Sequence, residues 1–314
     1  MVSLSMQCTT VSDAFREVFD LVRRDSCRFD SFDSDSRFKY YFRGLNKNFE
    51  DPGSCCPPCT RPVPSLNRDD NYIKNEHIIF NESIRLYPQD FPSGETTFER
   101  LTRMEHFEIP TRLLDVTSRL ATALGMTVFP GANDKDDDIL DMCGFVRVFR
   151  VKESRIKYST SDTVVALSNL ARIAPDHVTI DNLRYLAYEC QNERAGFYWE
   201  EGSDVSNMLK RDIKKVWCVR PVNNNVRIQA QRGEFFIFGC GDKKKPLNVT
   251  FSEADYGNPH APSEGIAEIG ILTVTPELKH ELKEMAEILD VTEDRLYPDF
   301  SRFHKVIKER FGGK

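Results

Sequence analysis

The sequence predicts an α+β fold, a single domain built on one mainly antiparallel sheet flanked by helices. Helical spacing of apolar residues dominates the early chain and two-residue alternation the late chain, without the repeating strand-helix order of parallel-sheet proteins. Five runs, at 144–151, 215–220, 234–238, 247–251 and 266–275, alternate well enough to be strands. The 314 residues are 40% hydrophobic, 11% aromatic and 29% charged, the balance of a folded globular chain that can bury a sizeable core.

In chain order, Ala14, Phe15, Val18, Phe19 and Val22 make the stripe of an amphipathic helix that starts near Thr10 to Asp13. A polar link, 25–36, leads to a short aromatic strand, Phe38 to Phe42, that ends at Arg43-Gly44. Residues 46–67 read as a loop, with five prolines and the cluster Cys55-Cys56-Pro57-Pro58-Cys59. Helical spacing returns over 76–86 and 97–107, and Pro110 stops the second helix. Leu113-Leu114 and the Ala- and Gly-rich run 120–128 suit a tightly packed core helix, and 133–142 is an acidic, solvated loop. Further helices are expected over 162–171 and 179–194. Thr275-Pro276 opens another, with Leu278, Leu282, Met285, Ala286 and Leu289 on its stripe. A last helix would carry Phe300, Phe303, Ile307 and Phe311 on one face.

Several function classes are excluded at once. No apolar run approaches the roughly 20 residues of a membrane helix, and the first 24 residues lack a signal-peptide core. With 43 Lys plus Arg against 49 Asp plus Glu, the net charge of -6 disfavours nucleic acid as a partner, although Lys243-Lys244-Lys245 offers a local basic run. The six histidines show no metal-ligand pairing, and the loops of α/β-hydrolases, P-loop enzymes and Rossmann dehydrogenases are missing, so no metal or certain cofactor is assigned. Cys56-Pro57-Pro58-Cys59 has redox or zinc spacing, yet a proline-rich loop without a second cysteine pair fits neither. Nine scattered cysteines in a chain this long favour reduced thiols and a cytoplasmic location.

Two segments set charge among apolar residues: Tyr41-Phe42-Arg43-Gly44, and Thr111-Arg112-Leu113-Leu114-Asp115-Val116-Thr117. Buried charges must be paired, so a core ion pair of Asp115 with Arg112 or with Arg43 is one reading. The other is a cleft in which the guanidiniums grip a carboxylate or phosphate. Gln231-Arg232-Gly233-Glu234 reads as a turn before a Phe-rich strand, or as a place where Gln231 or Glu234 orients a hydroxyl or acts as a base.

These segments, with Val63-Pro64-Ser65-Leu66-Asn67-Arg68, the helix bearing Glu76, Met104 to Thr117 and Leu296-Tyr297-Pro298-Asp299-Phe300, resemble the FRG domain family, named for its aromatic-Arg-Gly motif. The likeness spans residues 36–311 and implies one domain there, which contains the Pro/Cys-rich loop 46–67 with a cysteine-bearing insertion between Gly44 and Val63, and residues 1–35 supply a helix and link. Where the family has Gln-His-Tyr-Gly, this chain has Glu105-His106-Phe107-Glu108, and Val116 replaces a usual Trp. The family is functionally uncharacterised. A remoter likeness to ADP-ribosyltransferases implies a dinucleotide contacted by Arg43, supported by Thr111 or Thr117 and oriented by Gln231 or Glu234. The expectation for this chain is a cleft for a nucleotide or NAD in which Arg43 and Arg112 clamp the anion beside His106, Asp115 orients Arg112, Thr111 and Thr117 add hydrogen bonds, and Gln231 with Glu234 supplies orientation or general-base work. The competing reading is a noncatalytic interaction module whose Arg/Asp network is purely structural.

Overall fold

The computed structural model describes residues 4–27, 37–51, 54–58, 61–129, 136–179 and 182–298. Its strands are β1 (Leu4–Cys8), β2 (Phe38–Leu45), β3 (Leu113–Thr117), β4 (Gly144–Lys152), β5 (Ile156–Tyr158), β6 (Val216–Arg220), β7 (Gly233–Phe238) and β8 (Ile266–Val274). They form one sheet in the order β1-β8-β4-β2-β3-β7-β6-β5. Its two outermost pairings, β1 with β8 and β5 with β6, are parallel, and the rest are antiparallel. The helices are α1 (Val11–Cys27), α2 (Asp70–Leu86), α3 (Thr97–His106), α4 (Leu120–Val128), α5 (Asp162–Asn169), α6 (Arg184–Glu193), α7 (Asp204–Asp212), α8 (Val226–Gln231), α9 (Glu253–Tyr256), α10 (Pro276–Glu284), α11 (Ala286–Leu289) and α12 (Glu293–Leu296). The α+β fold with a mainly antiparallel sheet is therefore as expected.

Strand alternation sorts the core. Trp217, Val219, Phe235 and Ile237 point toward α2, α3, α5 and α6, and Val146, Val148, Leu272 and Val274 toward α1, α4 and α10. The intervening residues, among them Tyr41, Phe149, Cys218 and Phe236, form a third cluster closed by Val249 and Phe251. Residues 247–251, expected as a strand, instead run irregularly across this cluster: Phe251 takes a left-handed φ of 50° and its carbonyl accepts from the Glu268 amide at 2.8 Å. Its aromatic ring gains more from burial than a ladder would return.

Local signals account for most boundaries. Thr96 and Glu99 cap α3 reciprocally, and Thr275 with Pro276 opens α10 where the sequence expected a helix. That expected helix divides at Met285 into α10 and α11. The short run at 113–114 belongs to strand β3, not to a helix, and β1, α7, α8 and α9 were not anticipated. Gly44 is required by packing, because a Cβ there would collide with the Ala123 carbonyl of α4. Residues 4–27 belong to the same fold, β1 pairing with β8 and Val18 and Leu21 of α1 entering the shared core. The expected helix over 300–311 lies outside the described residues. No helix among the described residues is long and apolar enough to cross a membrane.

The expectation of uniformly reduced thiols needs correction. Cys55 of the proline-rich loop is disulfide-bonded to Cys143, just before β4. Composition could not see that the loop folds back over the start of that strand. Cys8, Cys27, Cys56, Cys190, Cys218 and Cys240 are free.

Candidate functional site

The site is built where β2 and β3 part. Only Phe42 and Thr117 are in register, so the backbone of Asp115 is left without a strand partner on the β2 side. Arg43 fills the gap: its Nη1 donates to the Asp115 carbonyl at 2.7 Å and also pairs with the Asp115 carboxylate. A cavity of about 790 Å³ opens beside this pair, within the size range of small-molecule sites. Burial works against the charge of Asp115, but the Arg43 guanidinium outweighs it and holds the carboxyl below its usual range.

Glu105, at the end of α3, is the second cavity carboxyl and behaves oppositely. Burial first, then the negative charge of Asp115, push it up to about 7 against the pull of Thr111, Arg43 and Arg68. The Thr111 hydroxyl accepts from the Leu113 amide at 3.2 Å and donates to Glu105 Oε2. No cation among the described residues lies within pairing distance of Glu105. Two neighbouring carboxyl groups with opposed environments are the arrangement that separates an acid from an ionised partner.

The cationic side of the cavity comes from the loop before α2 and from α8. Arg68 lines the wall near Arg43, and burial together with the Arg43 charge lowers its pKa. Among the described residues it has no carboxylate in ion-pair contact. Arg227 donates to the His106 carbonyl at 3.1 Å and lies 4.9 Å from the centre of the Tyr297 ring. His106 touches Asn225 at 3.3 Å, and burial, then Arg227, drive the ring down to about 3, so it is neutral. Phe49, 61% exposed, stands on the rim. No three His, Cys, Asp or Glu side chains among the described residues gather as a metal site would need.

Comparison with protein-family profiles, with characterised proteins and with solved structures gives no match for this chain.

The geometry therefore has to assign roles alone, and it divides the expected site residues. Arg43, Asp115, His106 and Gln231 line the cavity, and Thr111 supports it through Glu105. Arg112 does not reach it. Its guanidinium is 2% exposed and bonds Glu76 from Nε at 2.8 Å and from Nη2 at 2.5 Å, with a third bond to the Phe238 carbonyl at 3.0 Å. Lys244 completes this buried cluster at 2.8 Å from Glu76, so that lysine is no part of a basic surface. Burial alone would raise Glu76, but Arg112 and Lys244 hold it at about 2. Of the two pairings expected for Asp115, the one with Arg43 forms and the one with Arg112 does not, because Arg112 is taken by Glu76.

Thr117 is buried and donates to the Gln231 carbonyl at 2.7 Å, while the Gln231 side chain donates to the Leu296 carbonyl at 2.9 Å. Both tie β3 and α8 to the C-terminal segment, which leaves the Gln231 amide committed. Glu234 sits outside the cavity near Arg220, at 3.7 Å, because it alternates away from the cavity face on β7. Glu105 and Arg68 were missed as site residues. The signal for Glu105 was an acidic side chain beside a histidine just before Pro-Thr-Arg, and for Arg68 a cation ending a proline-rich loop.

Proposed function

We propose that this chain is an FRG-like protein whose cavity binds a phosphate-bearing small molecule, a nucleotide or NAD, and transfers a group from it. The observation that carries this reading is Arg68. It lines a cavity of about 790 Å³ close to a second guanidinium, with burial and that neighbour both opposing its charge, and no carboxylate in contact among the described residues. A phosphate placed between Arg68 and Arg43 would relieve that repulsion and gain charge-assisted hydrogen bonds. Phe49 on the rim offers a ring face for a base. The setting proposed with it is cytoplasmic, supported by the six free thiols among the described residues, four of them buried, against one disulfide there. Nucleic acid is not part of the proposal.

The test is a thermal melt of the full chain with ADP, with NAD and without ligand. A rise with either ligand, abolished in Arg68→Ala while that variant's unliganded melt stays near wild type, is the expected result. No rise with any phosphate-bearing compound would overturn the reading. A noncatalytic interaction module would then stand in its place, a reading favoured by the fully paired Arg112, Glu76 and Lys244 cluster, which needs no ligand to explain it.

A further inference from the structure

Glu105, one of four carboxyl side chains that line the cavity among the described residues, feels the charges of Arg43 and Arg68 without an ion pair to either. Arg43 is committed to Asp115, and the Thr111 hydroxyl proton is committed to Glu105 Oε2. With the Thr111 hydroxyl accepting the Leu113 amide and donating to Oε2, the proton of a neutral Glu105 sits on Oε1. The groups facing it are Asp115 on β3, Arg43 on β2, Arg68 from the turn before α2, and Thr111, with the neutral His106 as its chain neighbour. The cavity thus presents a proton donor next to a fixed anion.

That pairing discriminates between leaving groups. The nicotinamide of NAD departs from a pyridinium as a neutral molecule and needs no proton. A purine departs as an anion unless a ring nitrogen is protonated. A donor beside a carboxylate serves the second chemistry and adds nothing to the first.

Resting on the nucleotide reading above, we infer that the substrate is a purine nucleoside phosphate cleaved at its N-glycosidic bond, with Glu105 the proton donor and Asp115 the anion that faces the developing sugar cation. The C–N bond breaks with its electron pair going to the base, whose ring nitrogen takes the Glu105 proton. Water adds to the anomeric carbon, and the proton it sheds returns to Glu105. Base and ribose phosphate are the products, with no redox change.

The experiment incubates the full chain with AMP and, separately, with NAD, measuring free adenine and nicotinamide by chromatography across pH 5 to 9, alongside the melting shift that AMP induces. Adenine release that declines as pH rises past about 7 is expected. Glu105→Gln, which still accepts from Thr111, should keep the AMP-induced melting shift while losing about 100-fold or more of the release. A melting shift without adenine release overturns the inference and leaves the binding reading intact; absence of the AMP shift overturns the inference, and the binding reading falls with it when ADP and NAD also leave the melt unchanged. If Glu105→Gln does not fold, the wild-type profile decides, since a rate that climbs through pH 7 is incompatible with a proton donor.

Discussion

Arg43 substitutes for a missing strand contact: its guanidinium binds the backbone carbonyl of Asp115, which β2 leaves unpaired, and neutralises the carboxylate of the same residue. One side chain thus holds the sheet together at its widest point and forms the cavity wall.

The two arginines that looked equivalent in sequence should separate under mutation. The Arg43 and Asp115 side chains are 13% and 39% exposed, so water screens the loss, and Arg43→Ala should cost about 1–2 kcal/mol. Arg112 and Glu76 are each 3% exposed, and Arg112→Ala should cost about 3–5 kcal/mol. Urea unfolding measures both; equal losses would contradict the division of roles.

Stability should also report Glu105. Its folded pKa is raised, to about 7, so the unfolded state releases this proton first and the group destabilises the fold progressively from about pH 4.5 to 7. The effect is at most about 3 kcal/mol and should vanish in Glu105→Gln. Glu76 acts in the opposite sense: its pKa is depressed to about 2, so its contribution is present above about pH 4.5 and is lost as pH falls toward 2. Unfolding curves at several pH values, wild type against Glu105→Gln, should diverge above pH 4.5 only.

Alkylation of the native chain without reductant should label the exposed Cys27 and Cys56 and spare Cys55 and Cys143 until a dithiol is added. Because the disulfide spans 88 residues of sequence, Cys143→Ser should lower stability by about 2–4 kcal/mol, read from the shift in urea midpoint.

Glu108 has a φ of 58°, a left-handed conformation that favours glycine. Glu108→Gly should raise stability by about 1 kcal/mol, a gain visible as a higher melting temperature.

Strands β4, β6, β7 and β8 and helix α10 were legible because alternation, or an N-cap threonine before proline, marks them without tertiary help. Arg43 and Asp115 were legible because charges among aromatics and leucines must find partners. Arg112 had the same signature and a different partner, and nothing local told Glu76 from Asp115. The strand β3 hid because five residues between Pro110 and Leu120 are too few for either period to declare itself. Glu105 hid because its protonation depends on Asp115 and Thr111, which the fold brings to it. Gln231, expected in a catalytic place, lines the cavity, yet its amide donates to the Leu296 carbonyl, a contact 65 residues away that no local pattern encodes.

The edge strand β1 places Met6 opposite Leu272. Roughly 260 residues therefore leave the ribosome before β1 has its partner, a wait of roughly 13–50 s at roughly 5–20 residues per second. Through that interval the part of α1's apolar face that finally meets β8 and α10 lacks that cover. The last described strand to be synthesised is the one the first must wait for, so the nascent chain has to be kept from aggregating while most of the sheet is still being made.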